Sequence, residues 1–430
     1  SRLARIALQR PSSAAIVDGD ACVTYAQLDA AANAIAAQIV AATGEPRRNV
    51  CLFFTGKRLA IQAVAGVLRS AHACVPLDAG DPEERLRFIL QDSEPVALLT
   101  DGAHVERARQ LAPRGCVVLD IGVAQRAGTP PARPAIDPGA LAYVSYTSGS
   151  TGAPKGVTQT HANLMFFVDS YARDVGIGPG DRLSVLGPLG VPAVLGDILR
   201  GIALGATLCT YDIRRTGVAQ LADWLDRQRI TVLHAVPTVF REMASRLGPR
   251  RVLPHLAVVH LGGEALFGGD VAHFRARTLD HCTLVNQLAC TETGAIARNI
   301  VRHDTLVASD GPVPAGRPID GLRVEIRRDD GTLAATNEVG EVFVCGAHLS
   351  PGYWRRPDLN AAAFSADPSR EGWRRFRTGD LGRYDAEGRL DFIGRPGTSV
   401  TVPGTSVDLM EVEAALVTCP GVVRAAVITD

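Results

Sequence analysis

The sequence predicts an α/β protein. It reads as a large N-terminal core of two α/β subdomains with a smaller β lobe, then a hinge and a truncated small C-terminal α+β domain. Three observations predict this. Up to about residue 315, helical apolar stripes alternate with short apolar runs, and strands separated by helices assemble into largely parallel sheets. Beyond that point short β-rich segments alternate with Asp-Asp-Gly and Pro-Gly turns. The chain has 430 residues, more than one small core requires, so it should divide into lobes.

The elements follow in order. Leu28, Ala32, Ile35 and Ile39 form one helical stripe. Asp81-Pro82-Glu83-Glu84 reads as a helix start, with Asp81 as cap, Pro82 in the first turn and Glu84 closing a capping box. That helix carries Leu86, Ile89 and Leu90, and a strand at 96–100 follows. Residues 141–144 read as a strand, 221–225 as a helix, 230–236 and 256–261 as strands, 271–279 as a helix and 283–287 as a strand. In the β lobe, Leu322–Arg327 and 340–345 are strand-like. Residues 395–404 read as a hinge. Residues 408–416 and 422–429 read as one helix and one strand, too little to bury a core. The predicted division is therefore a core over 1–394, with its β lobe at about 316–394, a hinge at 395–404 and the start of a C-terminal subdomain at 405–430.

Composition excludes several classes. Apolar residues make up 46% and charged residues 21%, with zero formal net charge. A nucleic-acid or anionic-membrane surface needs a basic excess, so neither partner is expected. No apolar run reaches the roughly 20 residues of a membrane span. The nine cysteines are scattered without a C-x-x-C pair, which suits a reducing, cytoplasmic setting rather than disulfides or zinc. No H-E-x-x-H zinc pattern or G-x-S-x-G elbow is present.

The strongest signal is Tyr146-Thr-Ser-Gly-Ser-Thr-Gly-Ala-Pro-Lys-Gly-Val157, directly after an apolar strand. Thr147, Ser148, Gly149, Ser150, Thr151 and Gly152 offer hydroxyls and flexible backbone N–H groups that can wrap a polyphosphate. Lys155 adds a positive point charge. Pro154 stands where a Walker A loop needs glycine. On composition alone, a Ser/Gly surface turn is the alternative.

At this motif the chain resembles the adenylate-forming superfamily of acyl-CoA synthetases, luciferases and nonribosomal peptide synthetase adenylation domains. The resemblance continues in order through Val23-Thr-Tyr-Ala-Gln-Leu28, Leu68-Arg-Ser-Ala-His-Ala-Cys-Val-Pro-Leu-Asp78, Gly340-Glu-Val-Phe-Val-Cys-Gly346, Pro351-Gly-Tyr-Trp354, Arg377-Thr-Gly-Asp-Leu381 and Gly394-Arg395. The first two favour peptide-synthetase domains.

The resemblance implies roles residue by residue. In Asn286-Gln-Leu-Ala-Cys-Thr-Glu-Thr-Gly294, Thr291 would contact the adenylate phosphate and Glu292 would help hold Mg²⁺; a carboxylate suits a hard cation bridging phosphates. Relatives place an adenine-stacking aromatic and a glycine where this chain has Leu288 and Ala289. Asp380 would accept from both ribose hydroxyls. Arg395 resembles the hinge arginine that contacts ribose and phosphate, and Phe392 the nucleotide-packing aromatic. Gly262, Gly263 and Glu264 resemble the adenine-pocket segment, and equally suit a strand-ending turn. His161 weighs evenly between a site role and an ordinary helix-start histidine. The hinge motif departs from the family at Gly397, Thr401 and Pro403.

Amino-acid-activating relatives carry an aspartate for the substrate ammonium where this chain has Pro192. The same alignment gives Ala193, Gly196, His234, Val259, Leu261, Gln287, Ala295 and Ile296 as pocket walls, with His234 and Gln287 as polar handles. Asp197 aligns with a different, structural acidic position. An unpaired buried ammonium costs several kcal/mol, so the pocket suits an aryl, α-keto, α-hydroxy or branched acid. The alternative is a shifted loop in which another carboxylate binds the amine. The resemblance implies ATP and Mg²⁺ as cofactors and a phosphopantetheine-bearing carrier domain in the same polypeptide as partner, in secondary-metabolite biosynthesis. An acyl-CoA ligase and a non-catalytic docking module are the rival readings.

Overall fold

The computed structural model describes residues 1–44, 47–122, 136–148, 154–309, 311–395, 399–402, 405–408, 416 and 427. The chain divides into two compact units. The first takes residues 1–235, 245–259 and 350–360; the second takes 236–244, 260–349 and 361–430. The units do not divide at residue 315, where the sequence texture changes.

The first unit holds β1 (Ala14–Asp18), β2 (Ala21–Thr24), β3 (Asn49–Phe54), β4 (Ala73–Asp78), β5 (Ala97–Thr100), β6 (Val117–Asp120), β7 (Leu141–Ser148), β8 (Pro154–Thr160), β9 (Arg182–Val185), β10 (Thr207–Thr210) and β11 (Val232–Ala235). One sheet runs β6-β5-β3-β4-β7-β8. Its pairs are parallel except β7–β8. In the other sheet β11, β9, β10 and β1 pair parallel and β2 closes antiparallel. β3 is buried at every position, as expected of a parallel strand covered on both faces. Cys51, Phe53, Val75, Leu77, Leu86 and Leu98 are part of one core cluster with Val144 and Tyr146.

The helical stripe is observed in the helix Tyr25–Thr43, where Leu28, Ala32, Ile35 and Ile39 are fully buried. Thr24 caps it in a reciprocal box with Gln27. The start read at Asp81 needs correction. The helix spans Glu83–Ser93 with Pro82 at the cap position and no side-chain cap bond. Asp81 instead closes a turn through its N–H on the Asp78 carbonyl at 2.9 Å, and its carboxylate accepts from Arg85 Nε at 3.2 Å.

β12 (Val258–Gly262) spans the boundary between the units in sequence. The second unit continues with β13 (Thr283–Cys290), β14 (Gly294–Val301), β15 (Arg317–Pro318), β16 (Leu322–Arg327), β17 (Gly340–Gly346), β18 (Phe364–Ala366), β19 (Arg374–Tyr384) and β20 (Leu390–Gly394). β13, β14 and β15 pair antiparallel, so this region departs from the parallel expectation. β16, β17, β19 and β18 form an antiparallel sheet with β20 beside β19. β16 buries every second residue, the signature of a sheet with one covered face. β21 (Ser399–Val402) and β22 (Thr405–Asp408) pair antiparallel as a two-stranded sheet. Thr401 lies in β21, whereas Gly397 and Pro403 lie outside the described residues. Among the described residues no helix is long and apolar enough to cross a membrane.

Candidate functional site

In the first unit, β7 and β8 carry the two ends of the hydroxyl-rich motif. Their register sets Thr147 opposite Lys155 and Ser148 opposite Pro154. Gly149, Ser150, Thr151 and Gly152 lie outside the described residues. The Lys155 ammonium donates to Tyr353 Oη at 3.0 Å and sits 4.3 Å from that ring's centroid. His161 starts the helix His161–Val175 beneath the Thr160 cap. Its Nε2 is buried without a hydrogen-bond partner, and burial holds its pKa below the usual histidine value.

The same unit explains Pro192. It is the first residue of the helix Pro192–Leu204, where a fixed φ and a missing N–H are tolerated best. Ala193 is exposed beside it and Gly196 is half-buried. Asp197 is buried and accepts from His234 Nδ1 at 2.5 Å and from Arg200. Burial alone would raise the Asp197 pKa, but His234 and Arg200 hold it below the ordinary carboxylate range. His234 thus has one ring nitrogen engaged by its own chain. Sequence reasoning missed this triad; only the Asp197–Arg200 spacing of one helical turn hinted at it. Val259 is fully buried.

In the second unit, Thr291 and Glu292 stand in the turn between β13 and β14, with Cys290 paired to Gly294. Gly294 has φ +65°, a conformation glycine adopts without strain. Leu288 is half-buried and Ala289 exposed, at an irregularity in the ladder. Glu292 and Asp380 are only 8% and 9% exposed. Arg395 Nε donates to Asp380 Oδ1 at 2.6 Å. Burial raises the Asp380 pKa and Arg395 opposes it, while the Glu292 charge raises it further. Glu292 and Asp380 also act on Arg395, whose pKa rises chiefly through its bond to Asp380. The Cys290 thiol is pushed up to about 12, first by burial and then by Glu292. The structure therefore brings Glu292, Asp380 and Arg395 together. Phe392 lies on β20 opposite Gly382, two residues past Asp380.

Glu264 has its own partner. Its Oε2 accepts from Thr238 N–H at 2.9 Å and Thr238 Oγ1 at 2.6 Å, so it fixes the first turn of the helix Pro237–Ser245. A Cβ at Gly262 would lie 3.2 Å from the Gln287 carbonyl, and Gly263 has φ +86°. The strand-ending turn is thereby realised. Gln287 Oε1 accepts from Arg298 Nε at 2.7 Å, so this handle also has an internal partner. Leu261, Ala295 and Ile296 are buried. Among the described residues no group of three or more His, Cys, Asp or Glu is placed to hold a metal ion by itself. Mg²⁺ is usually bound through one or two carboxylates plus substrate phosphates, and the buried Glu292 carboxylate fits that role.

The family model described as "AMP-binding enzyme" matches residues 3–354. The chain is 34% identical to a linear gramicidin synthase of Brevibacillus parabrevis over 99% of its own length and 8% of that protein. It thus spans a small part of such relatives. It is 31% identical to the L-proline–[L-prolyl-carrier protein] ligase of Streptomyces coelicolor, covering 95% of this chain and 80% of that one. Among solved structures it resembles the o-succinylbenzoate coenzyme A synthetase of Bacillus subtilis in complex with AMP, with TM-score 0.84, 25% identity and coverage of 99% and 84%. It also resembles an AMPPNP-bound nonribosomal peptide synthetase, with TM-score 0.83, 26% identity and coverage of 92% and 42%.

Proposed function

The chain belongs to the AMP-binding enzyme family, and from that premise we propose that it activates a carboxylic acid with ATP, forming an acyl-adenylate and pyrophosphate. A carboxylate oxygen bonds to the α-phosphorus, the bond to the bridging oxygen breaks, and pyrophosphate leaves with the electron pair. The carrying observation is the convergence of Glu292, Asp380 and Arg395. Asp380 accepts the ribose hydroxyls, releasing part of its hold on Arg395, which turns toward phosphate. Thr291 contacts the adenylate phosphate. Lys155 and the 147–152 hydroxyls offset phosphate charge, so the approaching carboxylate meets less repulsion. Glu292 and the nucleotide phosphates would hold Mg²⁺, which would supply further charge neutralisation.

The acid lacks an α-amino group. Pro192 offers no carboxylate, and Asp197 is committed to His234 and Arg200. The acyl group then passes to a phosphopantetheine thiol on a carrier domain of the same polypeptide, in the cytoplasm. The carrier-protein ligase among the relatives supports this step. Residues 1–394 serve as the adenylation core, 395–404 as the hinge and 405–430 as part of a C-terminal subdomain. A coenzyme A ligase is the second reading, favoured by the likeness to the o-succinylbenzoate synthetase. The test is acid-dependent pyrophosphate exchange, pairing each amino acid with its keto, hydroxy and des-amino analogues and adding benzoates. The amino-free acids should exchange faster; preference for an amino acid over all its analogues overturns the substrate assignment.

A further inference from the structure

We propose that Tyr353 is a positioning residue for Lys155, holding its ammonium ready for the nucleotide phosphates; this rests on the reading of Lys155 given above. β8 is the last strand of its sheet, and an edge strand exposes unpaired N–H and C=O groups. Residues 350–354 take up that edge. Thr158 N–H donates to the Gly352 carbonyl at 3.0 Å and Trp354 N–H to the Gly156 carbonyl at 2.7 Å. These bonds set Tyr353 opposite Val157 in an antiparallel bridge. Lys155 lies two residues before Val157, so it is the diagonal neighbour of Tyr353. Diagonal pairs across such a ladder are within reach of aromatic and long side chains.

The segment is fixed on several sides. Ser350 Oγ donates to the Thr158 carbonyl at 2.7 Å, and Trp354 Nε1 to the Asp92 carbonyl at 3.0 Å. Tyr353 N–H donates to Asn360 Oδ1 at 2.6 Å, and Asn360 Nδ2 returns a bond to the Tyr353 carbonyl at 3.1 Å. Tyr353 is 6% exposed, so it presents a set surface rather than a mobile one. That surface suits its task. An aromatic face and a hydroxyl oxygen attract an ammonium without cancelling its charge. A carboxylate in their place would neutralise the charge the phosphates need. A lysine stem also loses rotamer freedom when it engages an anion. The Tyr353 contact removes part of that freedom beforehand, which is preorganisation.

The test titrates ATP in acid-dependent pyrophosphate exchange. Tyr353→Phe deletes the hydroxyl contact and keeps the buried ring; Tyr353→Leu deletes both. The KM for ATP should rise about three- to tenfold in Tyr353→Phe and further in Tyr353→Leu, with the KM for acid unchanged. In a Lys155→Ala background the same changes should add less than about twofold, because the partner is gone. Losses that multiply in full in that background, or a wild-type ATP requirement in Tyr353→Phe, overturn the proposal. If Lys155→Ala alone leaves the ATP requirement unchanged, the reading of Lys155 itself is wrong and the proposal falls with it.

Discussion

Replacing Asp380 with asparagine tests the proposed ribose contact. The carboxylate is nearly buried and accepts from Arg395 at 2.6 Å. Two carboxylate oxygens can take both ribose hydroxyls; an asparagine keeps one acceptor and turns a donor toward the other hydroxyl. One hydrogen bond to a charged group is lost, worth about 1.5–3 kcal/mol. At 1.4 kcal/mol per decade that is roughly a 10- to 150-fold rise in the KM for ATP. The cost to folding is small, because Arg395 is mostly exposed and such a pair contributes little. The sign of the pH effect agrees. Asp380 has a folded-state pKa raised by burial. Its contribution favours folding below the unfolded value of about 3.9 and is lost as pH rises through the folded value. At neutral pH the buried charge opposes folding, so the variant should melt no lower than the wild type. The assay is pyrophosphate exchange with ATP varied at saturating acid, then acid varied at saturating ATP. An unchanged KM for ATP, or an equal rise in both constants, refutes the ribose role.

Three further outcomes are expected. Lys155→Ala and Glu292→Ala should each slow acid-dependent pyrophosphate release at least about tenfold, or roughly 1.4 kcal/mol in barrier; wild-type rates in both would remove them from the site. ATP binding by calorimetry should weaken as pH falls toward the raised pKa of Asp380; Asp380→Asn should flatten this dependence, and a profile unchanged in that variant would place the titrating group elsewhere. Thr24→Ala breaks the reciprocal cap on Gln27 and should cost about 1 kcal/mol of stability in denaturant unfolding without altering the ATP requirement.

Local periodicity was legible where one element buries one stripe. The Leu28-to-Ile39 face and β16 both follow their expected periods. Caps were less so. Thr24-Tyr-Ala-Gln27 carries the reciprocal pattern and forms the box, whereas Asp81 carries it and does not. At Asp81 the preceding turn and Arg85 compete for the same side chain and N–H. The strand end before Thr291 and Glu292 was legible, but their antiparallel turn was not, because a lone Gly294 does not reveal which strand comes next. The rest depended on distant pairings. Asp197 meets His234 across 37 residues and Thr158 meets Gly352 across 194; no local pattern encodes either. Asp380 and Arg395 lie 15 residues apart on the two ends of a hairpin, which is why their spacing was informative.

The product of the first half-reaction distinguishes acyl-adenylate formation most directly from other ATP chemistry. The measurement is mass spectrometry of the nucleotide products after incubation with ATP, Mg²⁺ and the acid that exchanges fastest. An acyl-AMP with one pyrophosphate per turnover, absent without the acid and strongly reduced in Glu292→Ala, is the predicted result. Release of ADP and phosphate, or a nucleotide product independent of the acid, would contradict it.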